Sequence, residues 1–185
     1  MQLNLYSNKE FKRGRSVVIE VLWLLTQWLF ISSWIPGSLH RVLFLKLFGA
    51  KIGENVVIKP GLRVKFPWRL SIGNNVWIGE SCWLDNLDNI TVGNHCCVSQ
   101  GVYICTGNHD WTSPQFALLH APVILEDQSW LGAMSAVAPG VRVGEGAILT
   151  MGSVAVKDLA AWEIYSGNPA QAIRKRVINR DTESK

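Results

Sequence analysis

The sequence predicts an all-β domain wound as a parallel β-helix and entered through an apolar helical hairpin. Two observations carry this reading. From Ile52 onward an aliphatic residue returns every six places, and residues 17–35 hold 14 apolar residues out of 19. The beat occupies positions 52, 58, 64, 72, 78, 84, 92, 98, 104, 125, 131, 137, 143, 149 and 155, and all but Ala155 are Ile, Leu or Val. These three residue types fill 52 of 185 positions, so chance would put them at about four of the fifteen. Neither the period of two of a strand nor the 3.6 of a helix produces a beat of six. An aliphatic residue every six places makes each short strand one side of a prism. Three sides make a coil, and coils stack about 4.8 Å apart with the aliphatic residues inside.

Residues 1–50 form the N-terminal apolar segment. Lys9, Lys12, Arg13 and Arg15 precede the apolar run and Pro36 stops it. Trp34-Ile35-Pro36 lacks the small residues of a cleavage site, which sets a secretory signal aside. From Leu39 to Phe48, the residues Leu39, Val42, Leu43 and Leu47 share one helical stripe, as in an interfacial helix, with Pro36-Gly37 turning the chain between the two helices. Trp23, Trp28 and Trp34 are of the type that anchors at headgroup depth, so membrane contact is expected. The competing reading is that the first helix covers an apolar flank of the β-helix or of a partner subunit.

Residues 51–165 form the β-helix. Glycines at 53, 73, 79, 93, 132 and 144 follow the beat, where a corner is expected to need backbone freedom. The steps from 64 to 72 and from 84 to 92 are eight residues, and that from 104 to 125 is twenty-one. All three insertions fall after the third side of successive coils. They should stack along one edge of the prism, with 105–122 projecting as an arm. Residues 166–185 are read as a short C-terminal helix and tail.

Composition narrows the function classes. The chain carries 18 Lys+Arg against 14 Asp+Glu and is 48% hydrophobic, too apolar for a disordered segment. Cys82, Cys96, Cys97 and Cys105 contain no Cys-x-x-Cys pair, which argues against a zinc site or a disulfide framework and for reduced thiols. No helix carries a basic stripe interleaved with exposed aromatics, so no nucleic acid partner is expected.

The arm opens with Thr106-Gly107-Asn108-His109-Asp110-Trp111, a polar run on a rigid apolar scaffold, where functional residues concentrate. His109 is the candidate reactive group. His40 lies in the helical segment, His95 suits a coil corner and His120 the return of the arm, each with a structural or solvated role. One inserted coil of twenty residues back from His109 stands Asn89, with Asp85, Asn86 and Asp88 in the same projection. A carboxamide or carboxylate there would orient the imidazole and bind a polyol, together with Asn108, Asp110 and Trp111 on the arm.

The beat, the arm with its histidine and the closing Gly167-Asn168-Pro169-Ala170 resemble the hexapeptide-repeat acyltransferases, left-handed parallel β-helices that work as trimers. Phe48-Gly49-Ala50-Lys51-Ile52-Gly53, Trp83-Leu84-Asp85-Asn86-Leu87 and Thr106 to Trp111 look like the acetyltransferases of colanic acid and related exopolysaccharide synthesis. The resemblance implies O-acetyl transfer from acetyl-CoA, with no metal, to a sugar, nucleotide-sugar or lipid-linked saccharide. His109 would be the general base between subunits, and a backbone N–H would stabilise the oxyanion. No covalent intermediate is needed, so Cys105 is read as an ordinary coil side chain. By the same resemblance the pantetheine arm would contact Gly132, Ala133, Met151, Gly152 and Ser153, with Lys157 and Arg174 near the phosphates. The family often has a hydroxyl where this chain has Ala133, and Ala or Gly where it has Met151.

Acetyl-CoA is cytosolic, which puts the β-helix in the cytoplasm. Residues 17–35 are long enough to span a bilayer, yet Arg41, Lys46 and Lys51 after the run match the basic residues before it. The hairpin is therefore expected to lie on or dip into the inner leaflet without crossing. Two other readings compete. A γ-carbonic-anhydrase-like zinc enzyme would recruit His95, His109 and His120, although the expected histidine pair five residues apart is missing. A non-catalytic β-helix scaffold on membranes would leave the polar arm without a purpose. A serine acetyltransferase would need a longer helical N-terminal domain than these fifty residues.

Overall fold

In a computed structural model, which describes residues 1–178, the chain forms three parallel sheets around one aliphatic core. The first side of the prism stacks Lys51–Ile52, Leu70–Ile72, Ile90–Val92, Val123–Leu125 and Arg142–Val143. Its second stacks Val57–Ile58, Trp77–Ile78, Cys97–Val98, Trp130–Leu131 and Ile148–Leu149. Arg63–Val64, Trp83–Asp85, Tyr103–Cys105, Ala136–Val137 and Val154–Ala155 make the third. The register pairs each beat residue with the next coil's, as Ile52 with Ile72 and Ile72 with Val92. All fifteen beat positions are buried, which is the six-residue pattern realised as one continuous core.

The glycines after the beat serve a different purpose from the one expected. None of the six has positive φ. Instead, consecutive coils approach so closely that a Cβ at Gly73 would meet the Gly93 carbonyl carbon and oxygen at 2.8 Å. The left-handed corner residue lies two places further on, at Asn55, Asn75, His95 and Gln128 on one edge and at Gly61, Ser81, Gly101, Met134 and Gly152 on the next.

The N-terminal helices cap the open end of the first coil, whose outer strand edges would otherwise expose unpaired backbone groups. Helix α1 (Val17–Thr26) continues through a π-helical turn over Gln27–Ile31 and is followed by α2 (Leu39–Leu47). Trp23 Nε1 donates to the Val64 carbonyl at 2.9 Å, Gln27 Oε1 accepts from the Val64 N–H, and the Ser32 and Ser38 hydroxyls donate to the Leu62 and Ile58 carbonyls. Trp23, Ile31 and Leu45 join the core of the β-helix. The expectation of a bilayer-length helix over 17–35 is corrected: the helical run ends at Ile31. It rises about 22 Å, short of the roughly 30 Å of a hydrocarbon core, and one face is packed on protein. Arg41, fully buried, closes the hairpin by donating to the carbonyls of Ile31, Ser33, Ile35 and Gly37.

Residues 1–15 are not part of the helical segment. They cross the stacked insertions as a strap: Gln2 N donates to Pro114 O on the arm, Trp68 Nε1 to Arg13 O, and Phe11 stacks on Phe66. At the other end the expected C-terminal helix is replaced by strands. Glu163–Gly167 pairs in parallel with Ile148–Leu149, and Ala170–Lys175 folds back antiparallel on it. The last second-side strand would otherwise present a bare edge, and Pro169 favours a turn over a helix interior. Residues 179–185 of the expected tail lie outside the described residues.

Candidate active site

The three insertions do stack on one edge, that between the third and first sides. Thr106 Oγ1 donates to the Asp85 carbonyl and accepts the Asp88 N–H, seating the arm on the projection below. The arm is an antiparallel hairpin of Gly107–His109 and Leu118–His120. His109 is half-buried, and its Nδ1 lies 2.9 Å from the Phe116 carbonyl oxygen. A carbonyl only accepts, so Nδ1 carries the proton and the neutral ring keeps its lone pair on Nε2. The imidazole is fixed in plane by Phe116, stacked at 4.2 Å, and met edge-on by Tyr6 of the strap at 5.7 Å.

A cavity of about 370 Å³ opens at His109, within the range of small-ligand sites. It is lined by Asn108, Asp85 and Lys65, and by Tyr6, Phe11 and Arg13 of the strap. Lys65 Nζ lies 3.2 Å from Asp85 Oδ1, and the Tyr103 hydroxyl donates to Asp85 Oδ2 at 3.2 Å. Burial first, then the neighbouring Cys105 and Asp85, pushes the Tyr103 phenol up, so it stays a donor. The strap residues were invisible to sequence reasoning, because nothing in the spacing of Tyr6, Phe11 and Arg13 links them to an arm a hundred residues away.

The other expected acceptor residues separate. Asn86 is fully buried, with Oδ1 accepting the Phe66 N–H at 2.9 Å and Nδ2 donating to the Phe66 carbonyl at 2.6 Å. It is a bracket between two insertions and reaches no acceptor, which corrects its expected role. Asn108 Oδ1 accepts its neighbour's backbone, the His109 N–H. Asn89, exposed, and Trp111, also exposed, line none of this cavity. Neither does Asp110, whose carboxylate is held below its ordinary range by the Thr112 hydroxyl and N–H. His120, expected to be solvated or structural, pairs through Nδ1 with Asp88 Oδ2 at 2.7 Å, under the edge of Phe11.

The expected thioester groove lies on a different edge, between the second and third sides. Ala133 O accepts the Gly152 N–H, which brings those two corners together, and a Cβ at Gly152 would meet nothing within 4 Å. Met151 and Met134 are exposed beside them. Gly132 packs against the Met151 backbone, its Cβ position 2.5 Å from the amide nitrogen. Ser153 is turned inward onto Thr150 and the Gly167 N–H, so its hydroxyl cannot face a ligand. Lys157 and Arg174 are exposed on different sides of the prism, the latter on the final strand and not on a helix end. Within one chain the base and the groove do not meet. Nor do the three histidines of the zinc reading converge in one chain, since His95 sits at a corner between the first and second sides.

Comparisons with known proteins agree with this architecture. A model of the family described as "Hexapeptide repeat of succinyl-transferase" matches residues 69–105 and 122–155, leaving the arm between its two segments. The chain is 39% identical over 171 residues to "Putative colanic acid biosynthesis acetyltransferase WcaF" of Escherichia coli (strain K12), covering 91% of this chain and 93% of the relative. It is 32% identical over 136 residues to the galactoside O-acetyltransferase of Lactococcus lactis subsp. lactis (strain IL1403), covering 71% and 65%. Among solved structures, a hexapeptide-repeat acetyltransferase, VCA0836 of Vibrio cholerae O1 biovar eltor complexed with acetyl coenzyme A, superposes with a TM-score of 0.79 at 20% identity over 89% of this chain and 92% of that one.

Proposed function

The chain belongs to the hexapeptide-repeat acetyltransferases, and from that premise we propose that it moves the acetyl group of acetyl-CoA to a saccharide hydroxyl, with His109 as general base. The observation that carries this is the Nδ1–H of His109 donated to Phe116 O, which leaves Nε2 as the free basic atom of a ring held beside a polar cavity. Nε2 removes the acceptor's hydroxyl proton as that oxygen attacks the thioester carbonyl carbon. The C–S bond then breaks, and the same proton passes from the imidazolium to the departing thiolate. The products are an acetyl ester and the free thiol. An alcohol is a poor nucleophile at neutral pH, which is why the base is needed.

Asp85, held by Lys65 and Tyr103, supplies the carboxylate for acceptor hydroxyls. Ala133, Gly152 and Met151 offer open backbone and an apolar ledge to a pantetheine arm, with Lys157 and Arg174 as cations for its phosphates. The kinship with a relative described as a colanic acid biosynthesis acetyltransferase supports an exopolysaccharide setting and a nucleotide-linked or lipid-linked acceptor. Because base and groove lie on different edges, a second subunit must bring the groove to His109, which supports a closed homotrimer.

Exposed Trp28, Trp34, Leu39, Leu43 and Leu47, with Arg15 and Lys46 beside them, support contact with the surface of an anionic leaflet. Among the described residues no helix is long and apolar enough to cross a membrane. Replacing His109 with Ala tests the central step. Turnover with labelled acetyl-CoA and a saccharide acceptor should fall by about 10²- to 10⁴-fold with an unchanged melting curve; turnover within threefold of the parent would remove His109 from the mechanism.

A further inference from the structure

We propose that the acceptor site continues beyond His109 into a second glycosyl subsite, so that the preferred acceptor is a saccharide of at least two rings; this rests on the acetyl-transfer reading above. A second cavity of about 280 Å³ lies between α1 and the third side of the prism. It adjoins the His109 cavity, with Arg13, Lys65, Phe66 and Asp85 lining both. Together they form one groove running from the arm down two coils toward the helical cap. Each part alone is near the lower limit of a small-ligand site, and the pair has room for adjoining rings.

The walls of the second part have the chemistry a sugar ring requires. Trp83 is 36% exposed, its indole held between the Arg63 guanidinium at 4.3 Å and the Tyr103 ring at 4.8 Å on the next coil. Its exposed rim gives a ring an apolar edge to lie against, while its faces are taken by Arg63 and Tyr103. Around it stand donors and acceptors for the ring's hydroxyls, chiefly Arg63, Lys65, Asp85 and Glu20. Arg63 has no carboxylate partner among the described residues, so its N–H groups are available to a ligand.

Glu20 is the independent sign that something polar belongs there. It is the single charged residue of α1, is 8% exposed, and gives one carboxylate oxygen to Arg13. Its other oxygen, Oε1, is buried without a hydrogen-bond partner. A buried acceptor left unpaired is costly, and an aliphatic residue would serve the packing of this apolar helix better. A hydroxyl donor entering the groove would satisfy it. An acyl chain would not, since it brings no donor to Glu20 and leaves Arg63 without a partner.

Acetyl transfer by the full-length protein should be measured with methyl glucoside and methyl galactoside as one-ring acceptors, and with cellobiose, lactose and their trisaccharide extensions as longer ones. In the parent, kcat/KM should rise at least tenfold from one ring to two. Both Trp83→Ala and Glu20→Gln should collapse that two-ring to one-ring ratio toward unity, chiefly through the acceptor's KM. The KM for acetyl-CoA should stay within twofold. Glu20→Gln is isosteric and retains the fold if Trp83→Ala does not, and melting curves identify which variant is informative. Equal kcat/KM for one and two rings in the parent, or an unchanged ratio in a folded variant, would overturn the second subsite while leaving the transfer reading intact. Absence of transfer to every saccharide would overturn both.

Discussion

Asn86 and Asp85 are neighbours in sequence with opposite fates, because strand geometry sends successive side chains to opposite faces. Asn86 turns inward and brackets Phe66, so Asn86→Ala should lower stability by about 1–3 kcal/mol in denaturant titrations and leave the acceptor's KM alone. Asp85 turns toward the His109 cavity, so Asp85→Ala should raise the acceptor's KM at least fivefold with little change for acetyl-CoA; equal shifts in both would count against its role. Asp88 shows the same precision in an ion pair. Burial raises its carboxyl pKa, but the hydrogen bonds from His120 and the Asn89 N–H, with the charges of His120 and Arg69, prevail and hold it below the ordinary value. A depressed folded pKa means that its stabilisation is complete above the unfolded value of about 4 and is lost as pH falls through the lower folded value. The stability gap between the parent and Asp88→Asn should therefore be present at pH 6 and shrink steadily below about pH 4. A gap that widens on acidification would contradict the pairing.

The unit that repeats is the corner, and it demands two different things from adjacent positions. Where glycine stands immediately after the beat residue, coils stack so tightly that a Cβ would collide with the next coil, although its φ is ordinary. Two positions later the backbone is left-handed, and Asn, His or Gln occupies it at modest cost. Gly73→Ala should therefore destabilise by about 1–3 kcal/mol through overpacking against Gly93. By contrast Asn75→Gly, which relieves a positive φ, should be neutral or stabilising once its hydrogen bond from Asn55 is allowed for. Thermal melts of the two variants, shifted in opposite directions, would establish the distinction, and equal losses would refute it. The helical cap obeys the same edge logic as the corners. Trp23, Gln27, Ser32 and Ser38 satisfy the free rim of the first coil, so deletion of residues 1–48 would unfold that coil instead of releasing a functional β-helix.

At the scale of the molecule, the proposed transfer draws a histidine from one edge and a small-residue groove from another, and so calls for a partner subunit. Light scattering at micromolar concentration should report three times the mass of the chain, and a monomer with full activity would overturn the shared site. The exposed ridge of the cap is apolar. Flotation with anionic vesicles should carry the full-length protein upward, and the substitutions Trp28→Glu and Leu43→Glu together should leave it at the bottom of the gradient while retaining the trimer. Both residues are exposed, so neither change touches the core.

The prism, its three stacked insertions and the arm with His109 were legible in the sequence, because the six-residue beat is a local constraint that each coil must satisfy on its own. Which face of α1 meets the coil was not legible. An apolar run of 14 residues in 19 is consistent with lipid or with protein on any side, and only the unpaired rim of the first coil selects Trp23 and Ile31 for burial. The C-terminal strands were missed for the same reason, since the free edge at Ile148–Leu149 that recruits them exists only after the coils have stacked. Within the candidate site, the sequence by itself placed His109 on the arm and the projection beneath it, because both positions are set by counting coils. The tertiary structure alone decided that Tyr6, Phe11 and Arg13 wall the His109 cavity and that Glu20 lines the one beside it, because contacts between segments so distant along the chain leave no periodic trace.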